Sequence, residues 1–434
     1  MDLIAAILVS FICIIFSITQ GYFIAYPLII SLIIFTIILW RRGFALKTLL
    51  SLAIASSKKS FSVIYILLLI GAVTAVWMAA GTVPALVYYG VQFLHPRYFI
   101  LAAFTLTSIV SVLLGTSFGT VSTIGVALMI MARESPVNTH LVAGAIIAGA
   151  YVGDRASPMS SSANLIATIT STKLYVNLKN MVITGWLPLL VASIIYLGLS
   201  ISNPVGVANS TLTTEMPLFF DLSAYVLLPA VVILVLSFLQ VEVKLTLLLS
   251  IVASLVIGVT LQNYSIFQIT NYAVFGFELD ETTALASILK GGGIVSMLKV
   301  SIVVIISTAL AGIIGGTKTL EVIERFLRKA RTRSRLFFGT ILVGTAAAAF
   351  GCTQTIAILL TQQIVQESYQ HKKLDKYQLA IDLENTVVVL SPLIPWNIAG
   401  LVPATILMTD VGFIPYAFYL YLLPLLCLIK FDRW

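Results

Sequence analysis

Charge is what this chain of 434 residues has least of. Asp, Glu, Lys and Arg together make up 10% of it, where a soluble domain draws about a quarter of its residues from those four types. With 59% apolar residues and a mean hydropathy of +1.07, a water-facing surface is excluded and an integral membrane protein is implied. Cysteine is scarce too. Cys13, Cys352 and Cys427 each sit in an apolar run with no short spacing between them, so neither a zinc site nor a disulfide framework is expected. The net charge of +8 gives no ground for a nucleic-acid partner, because a bilayer protein gathers Lys and Arg in its cytoplasmic loops. Hydrolytic motifs give no support either. There is no His-Glu-x-x-His, Gly115-Thr116-Ser117-Phe118-Gly119 meets the Gly-x-Ser-x-Gly spacing only within an apolar stretch, and Gly315-Gly316-Thr317-Lys318-Thr319 departs from a phosphate loop by placing Thr before Lys. Neither an enzyme nor a cofactor is expected.

What the chain does have is apolar runs. A helical span needs about 20 apolar residues, and the candidates are 3–19, 22–40, 61–81, 98–114, 141–152, 181–200, 222–239, 245–261, 297–315, 336–349, 379–390 and 413–428. The expectation is an all-α polytopic protein of about 10–12 transmembrane helices, several of these runs being too short to cross alone. The first run lacks the basic start and small-residue cleavage site of a signal peptide and reads as a retained helix.

Cations set the orientation. Arg41, Arg42, Lys47, Lys58 and Lys59, with Lys318, Arg325, Arg328, Lys329, Arg331, Arg333 and Arg335, hold twelve of the 25 Lys and Arg, which places both stretches in the cytoplasm. The loop 203–221 has none and belongs outside. Counting crossings puts the N-terminus inside, and Lys430 and Arg433 also inside if the runs between Tyr98 and Lys173 cross an odd number of times. A plasma-membrane protein with both termini cytoplasmic follows.

Polar landmarks recur in one register. Gly81-Thr82 returns as Gly316-Thr317, Gly115-Thr116-Ser117 as Gly351-Cys352-Thr353, and Ser157-Pro158 as Ser391-Pro392, with offsets of 235, 236 and 234. The loop after Gly81 is nearly free of cations, whereas its counterpart after Gly316 is the most basic stretch of the chain. A sequence repeat whose charge bias inverts implies two inverted-topology repeats, an architecture that places its site near the midplane where helices break. The first repeat is assigned to 1–201, an extracytoplasmic linker to 202–221 and the second repeat to 222–434.

Polar runs inside apolar segments survive at membrane depth only when buried in protein or lining a cavity. Four stand out: Gly115–Thr120 with Ser122 and Thr123; Gly153–Asn164; Gly351–Thr355; and Asp382–Thr386 followed by Ser391–Asn397. Of the 17 acids, Asp154, Asp382 and Glu384 sit well inside such segments. Each costs roughly 2.5–3.5 kcal/mol at the bilayer centre, so the three together cost about 8–10 kcal/mol unless paired, hydrated or protonated. A carboxylate in a dry pocket holds a proton until a cation displaces it, and oxygen ligands suit a small hard cation. The candidate cation- and proton-binding residues are Asp154, Glu384, Ser157, Thr116, Ser117, Asn164, Asn385, Thr386, Ser391 and Thr353, with Asp154, Ser157 and Glu384 as the metal-ion ligands. Each has a plainer alternative. Asp154 suits a structural ion pair with Arg155, Asn164 and Asn385 suit helix caps, and Trp77 and Trp396 suit packing. Asp382 lies two positions before Glu384, so the two point to different helix faces; Asp382 reads as close to Lys376 at the cytoplasmic end.

These motifs resemble the NhaC-type sodium:proton antiporters of the ion transporter superfamily. The resemblance is carried by Trp77–Pro84 through Tyr88-Tyr89-Gly90, by Gly115–Thr120 with Gly125–Leu128, by Ala143–Tyr151 running into Gly153–Asn164, and by Glu384–Asn397. It implies inverted repeats with broken helices and exchange of Na⁺ for H⁺ by alternating access; some relatives move small organic acids or amino acids. Asp154, Ser157, Pro158, Ser160 and Asn164 match the family's Gly-Asp-Lys-x-Ser-Pro-x-Ser-Asp-x-x-Asn pattern, with Arg155 in place of its Lys and Ser161 in place of its second Asp. Glu384 matches the Glu of a Glu-Asp pair whose Asp is Asn385 here. Two neutralised carboxylates leave room for a second reading, an ion-coupled carrier of a small carboxylate or amino acid of the malate/lactate-exchanger kind. A gated channel fits paired repeats with midplane acids less well. The expected partners are the lipid bilayer, the sodium ion, the proton and, in the second reading, a small organic solute. A homodimer is admitted and nucleic acid is not.

Overall fold

The computed structural model describes residues 2–133, 135–204, 211–239, 241–279, 286, 289–317 and 332–431. The cations Lys318, Arg325, Arg328, Lys329, Arg331 and Arg433, on which part of the orientation argument falls, lie outside the described residues. Apart from one isolated bridge between Phe277 and Gly291, the regular structure of the described residues is helical. The first half runs α1 (Asp2–Thr19), α2 (Ala25–Arg41), α3 (Leu46–Lys59), α4 (Phe61–Ala79), α5 (Thr82–Phe93), α6 (Phe99–Leu114), α7 (Ser117–Thr120), α8 (Val126–Arg133), α9 (Thr139–Ala156), α10 (Ser161–Ile169) and α11 (Leu174–Ser202). After it come α12 (Thr211–Phe219), α13 (Leu228–Phe238), α14 (Val243–Thr260), α15 (Ile266–Phe275), α16 (Ser296–Gly316), α17 (Arg333–Gly351), α18 (Gln354–His371), α19 (Lys376–Leu383), α20 (Ile398–Ile406) and α21 (Phe418–Phe431). A π-helical turn, Val121–Gly125, joins α7 to α8, and another, Glu384–Val388, extends α19.

Among the described residues, six helices are long and apolar enough to cross a membrane: Leu46–Ala79, Pro96–Leu114, Leu174–Ser202, Val243–Thr260, Ser296–Gly316 and Arg333–Gly351. A seventh crossing is made if Lys376–Leu393 and Ile398–Ile406, bent by 52° at the break between them, count as one. Shorter apolar helices are Ala25–Arg41, Ser117–Arg133, Ala224–Phe238 and Phe418–Ile429.

Burial sorts the spans into two kinds. On α11 the buried residues are Asn177, Met181, Gly185, Pro188, Ala192, Tyr196 and Ser200, one stripe at helical spacing, while Val182, Trp186, Leu190 and Ile194 are apolar and exposed. That is a helix with one face on protein and the rest on lipid. By contrast, α9 is buried from Leu141 to Arg155 without a gap, so its polar residues are sheltered from the hydrocarbon.

Small residues let α9 reach the centre. A Cβ on Gly149 would lie 2.0 Å from Thr107 Oγ1, and one on Gly153 would lie 1.9 Å from the Ser111 carbonyl carbon, so α6 and α9 cross with their backbones nearly touching. Ser111 fastens the crossing by donating to the Ala150 carbonyl while accepting from the Gly153 amide at 3.1 Å.

Two stretches share an order of events. After α6, Gly115 takes a left-handed φ of 67° and Thr116 caps α7. After α17, Cys352 takes a φ of 54° and Thr353 caps α18. Gly115 has no alternative, since a Cβ there would sit 2.4 Å from Met159 Cβ and its backbone region is one that L side chains rarely adopt. Further on, Ser157-Pro158 follows α9 before Ser160 caps α10, and Ser391-Pro392 opens a 3-10 turn after the second π turn before Asn397 caps α20.

Gly153→Ala is expected to force α6 from α9 and cost about 1–3 kcal/mol, seen as a lower thermal unfolding temperature of the detergent-purified protein. Gly198→Ala on α11, where a Cβ meets nothing within 4 Å, should leave that temperature unchanged or raise it.

Candidate functional site

Asp154 sits in the last turn of α9, where the coming proline removes the helix's ordinary hydrogen-bond donors. Its backbone carbonyl is instead taken by Ser160 Oγ and by Ser162 Oγ at 2.7 Å. Its side chain bridges the starts of two other helices. Oδ1 accepts from the Ser117 backbone N–H at 3.4 Å, and Oδ2 accepts from Gln354 Nε2 at 2.9 Å. Gln354 also donates to the Val388 carbonyl at 3.2 Å, tying the start of α18 to the second π turn. Thr116 and Thr353 hold these helix starts by accepting from the Gly119 and Ile356 amides. Each start carries the partial positive charge of unsatisfied N–H groups, and the two converge on one carboxylate.

A cavity of about 300 Å³ opens beside this carboxylate. Its polar lining includes Asp154, Thr116, Ser117, Ser161, Thr353 and Gln354, and its apolar walls include Ile66, Ile70 and Leu247. Ser161, which stands where the resembling family has an acid, is part of that lining.

The second acid lies deeper. Glu384 opens the π turn that follows α19, is fully buried, and has no hydrogen-bond partner on either carboxylate oxygen. Asp154 and Arg155 both act on it electrostatically. Arg155 is buried as well, and its guanidinium is held by neutral groups: Asn385 Oδ1 accepts from Nε at 3.2 Å and from Nη2 at 2.6 Å, Thr184 Oγ1 at 2.9 Å and the Met181 carbonyl at 3.1 Å. Nη1 reaches the Tyr419 hydroxyl at 3.5 Å. Gly185 makes the room, since a Cβ there would come within 2.8 Å of Nη1.

Asp154, Thr116, Ser117 and Thr353 thus share one cavity, while Glu384 and Asn385 gather with Arg155. The other candidates bond to nearby carbonyls. Ser157 donates to Val112 at 2.7 Å, Asn164 to Pro158 and Ser160 at 3.0 and 2.8 Å, Thr386 to Asp382 at 2.6 Å and Ser391 to Val387 at 2.6 Å. Trp77 and Trp396 donate to Ser250 Oγ and the Ala349 carbonyl. Asp382 faces away from Glu384, as two-position spacing requires, but it is fully buried and paired with Arg333 and Tyr369 rather than lying by Lys376, whose ammonium bonds the Ser171 carbonyl at 2.7 Å. Two residues belong to the site that the sequence reading did not choose. Gln354 lies inside a polar run without a charge to single it out, and Arg155 enters the sequence reading only as an alternative ion-pair partner of Asp154.

Among the described residues no three His, Cys, Asp or Glu side chains gather as a metal centre. A cation here would be held by one or two carboxylates with hydroxyl and carbonyl oxygens, a weak donor set that suits a passing ion rather than a resident one.

A helical, multi-pass membrane protein with a buried carboxylate facing an internal cavity fits the class of membrane transporters. The family model described as the Na⁺/H⁺ antiporter family matches residues 1–162 and 149–430, and the chain belongs to that family. It is 30% identical over 388 residues to the malate-2H⁺/Na⁺-lactate antiporter of Bacillus subtilis (strain 168), covering 87% of this chain and 82% of that one. It is 28% identical to the Na⁺/H⁺ antiporter NhaC of Alkalihalophilus pseudofirmus, covering 93% and 88%, and 26% identical to the arginine/ornithine antiporter ArcD of Halobacterium salinarum, covering 86% and 79%.

Asp382→Asn removes one partner of a buried pair and is expected to cost about 3–5 kcal/mol, read as a lower unfolding temperature. The protein that remains folded should keep its exchange activity, because Asp382 faces Arg333 and not the cavity.

Proposed function

We propose that this protein is a secondary antiporter of the cell membrane that exchanges Na⁺ for H⁺ by alternating access. The observation that carries the reading is Asp154, a buried carboxylate at the meeting of two helix starts, facing a cavity and close enough to the unpartnered acid Glu384 to act on it. An acid without a fixed partner is expensive to keep in hydrocarbon, and a proton or a cation relieves that cost equally. Competition of the two for the same carboxylates is what couples their movements. Asp154 and Glu384 act as the ion-binding acids, with Ser157 as the third ligand. Thr116, Ser117 and Thr353 offer oxygens from the cavity side, while Asn164, Asn385, Thr386 and Ser391 shape the surrounding backbone.

The framework proposed for this exchange is 10–12 crossings in two inverted repeats, 1–201 and 222–434, joined by the extracytoplasmic linker 202–221, with both termini in the cytoplasm and one copy or a homodimer as the working unit. The recurring order of left-handed residue, threonine cap and helix on either side of Asp154 supports it.

A second reading has its own observation. A cavity of about 300 Å³ is far larger than a dehydrated sodium ion and reaches the lower end of small-molecule sites, and helix N-termini favour anionic groups. An ion-coupled carrier of a small carboxylate would use both features.

Asp154→Asn should abolish the Na⁺-driven pH change in proteoliposomes while the protein still inserts and remains folded; retained exchange would remove Asp154 from the site. A pH change that appears only when malate or lactate is supplied would favour the second reading over the first. For the framework, single cysteines at Val91 and Thr332, in a background without Cys13, Cys352 and Cys427, should label from opposite sides of the membrane.

A further inference from the structure

The site holds a third charge. Arg155 is 1% exposed, its guanidinium hydrogen-bonds only neutral acceptors, and it makes no ion pair with a carboxylate among the described residues. A guanidinium does not give up its proton in a protein, so this positive charge is present at every stage of a transport cycle. Asn385, which takes two of its N–H groups, is neutral and cancels nothing.

We infer that Arg155 is a fixed internal counter-charge that limits the site's load to one positive charge, making the exchange one Na⁺ for one H⁺ with no net charge moved. This rests on the Na⁺/H⁺ reading above. With Asp154 and Glu384 ionised and Arg155 charged, the empty site carries a net charge of about −1. One monovalent cation brings it to zero, whether Na⁺ or H⁺. A loaded site that is neutral can pass through the dry, occluded stage of alternating access without the desolvation cost that a net charge incurs. A second cation would leave it positive, and an empty site would leave it negative; both are barred by the same cost. Charge balance and obligatory exchange thus follow from one residue. Arg155 acts here as a positioning and counter-charge residue and need not touch the cargo.

Asn385→Asp provides the sharpest perturbation. It is nearly isosteric, keeps an oxygen acceptor for the guanidinium and adds one negative charge, which returns the empty site to about −2. A site at −2 is neutral only when it holds two positive charges, so the proton leg then carries two H⁺ against one Na⁺ and one net charge moves per cycle. Arg155→Gln should do the same by removing the positive charge, while Arg155→Lys should preserve balance.

The experiment uses the full chain in proteoliposomes with an entrapped pH dye, the membrane potential being clamped with K⁺ and valinomycin. The Na⁺ gradient that just balances a given pH gradient is found at zero and at 100 mV. The wild type and Arg155→Lys should balance at equal Na⁺ and H⁺ ratios, unmoved by the potential. For Asn385→Asp and Arg155→Gln, one charge crossing per cycle shifts the balance point by about 50-fold at 100 mV. A wild-type balance point that moves with potential, or an Asn385→Asp protein whose balance point does not, overturns the inference while leaving Na⁺/H⁺ exchange standing. Absence of any Na⁺-driven pH change in the wild type overturns the exchange reading, and the inference falls with it. A structural role alone would lower the rate and would not move a balance point.

Discussion

The structure is organised around the cost of keeping Asp154, Glu384 and Arg155 together in a compartment without bulk water. Each would be costly alone in hydrocarbon, and a continuous helix would leave its neighbours as apolar walls. Instead, α9 stops two residues after Asp154 and two other helices start against it, so that the carboxylate receives an amide N–H from one and a side-chain amide from the other. The breaks that free these donors create orphan carbonyls of their own. Ser160 and Ser162 take the carbonyl of Asp154, Ser157 takes that of Val112, and Asn397 takes that of Ala348. The many hydroxyls and amides of the polar runs are needed first for the backbone, and the cavity is what remains when that need is met.

Close helix crossing is the second condition. Gly149 and Gly153 bring α9 against α6, and Gly185 on α11 leaves space for the Arg155 guanidinium. Side chains at these three positions would push the helices apart by more than the hydrogen bonds of the site tolerate, so the glycines determine the distances between charged groups as surely as the charged groups determine the chemistry.

Much of this was legible in the sequence, and the part that was not has a physical cause. Apolar runs reveal the spans where they are long enough to cross, and acids amid Gly, Ser and Pro single out candidate positions because an acid in hydrocarbon is costly. The partner of Arg155 was hidden. Adjacent residues on a helix point about 100° apart and do not face each other, so Arg155 turns away from its neighbour Asp154 and its side chain goes to Asn385, 230 positions away. Asp382 was misplaced for a related reason. Proximity in sequence favoured Lys376, but the cation that compensates a buried acid is chosen by helix packing, and α17 supplies Arg333. Gln354 carried no signal at all, since an uncharged amide in a polar run has a use only once its geometry is known.

Glu384 and Arg155 complete one another in an unusual way. The guanidinium has its N–H groups occupied by oxygens that bear no charge, and the carboxylate has no donor on either oxygen. Direct contact between them would satisfy both and would yield a rigid pair, stable and inert, of the kind Asp382 forms with Arg333. Keeping them apart leaves the positive charge acting through space and the acid open to a ligand. A buried group left unsatisfied costs about 1–3 kcal/mol, and more when charged. Asp382 receives Arg333 and Tyr369 on one oxygen and has no partner on the other, whereas Glu384 has none on either, so the acid of the ion pair is held in place and Glu384 is the acid that a bound cation or proton would relieve more.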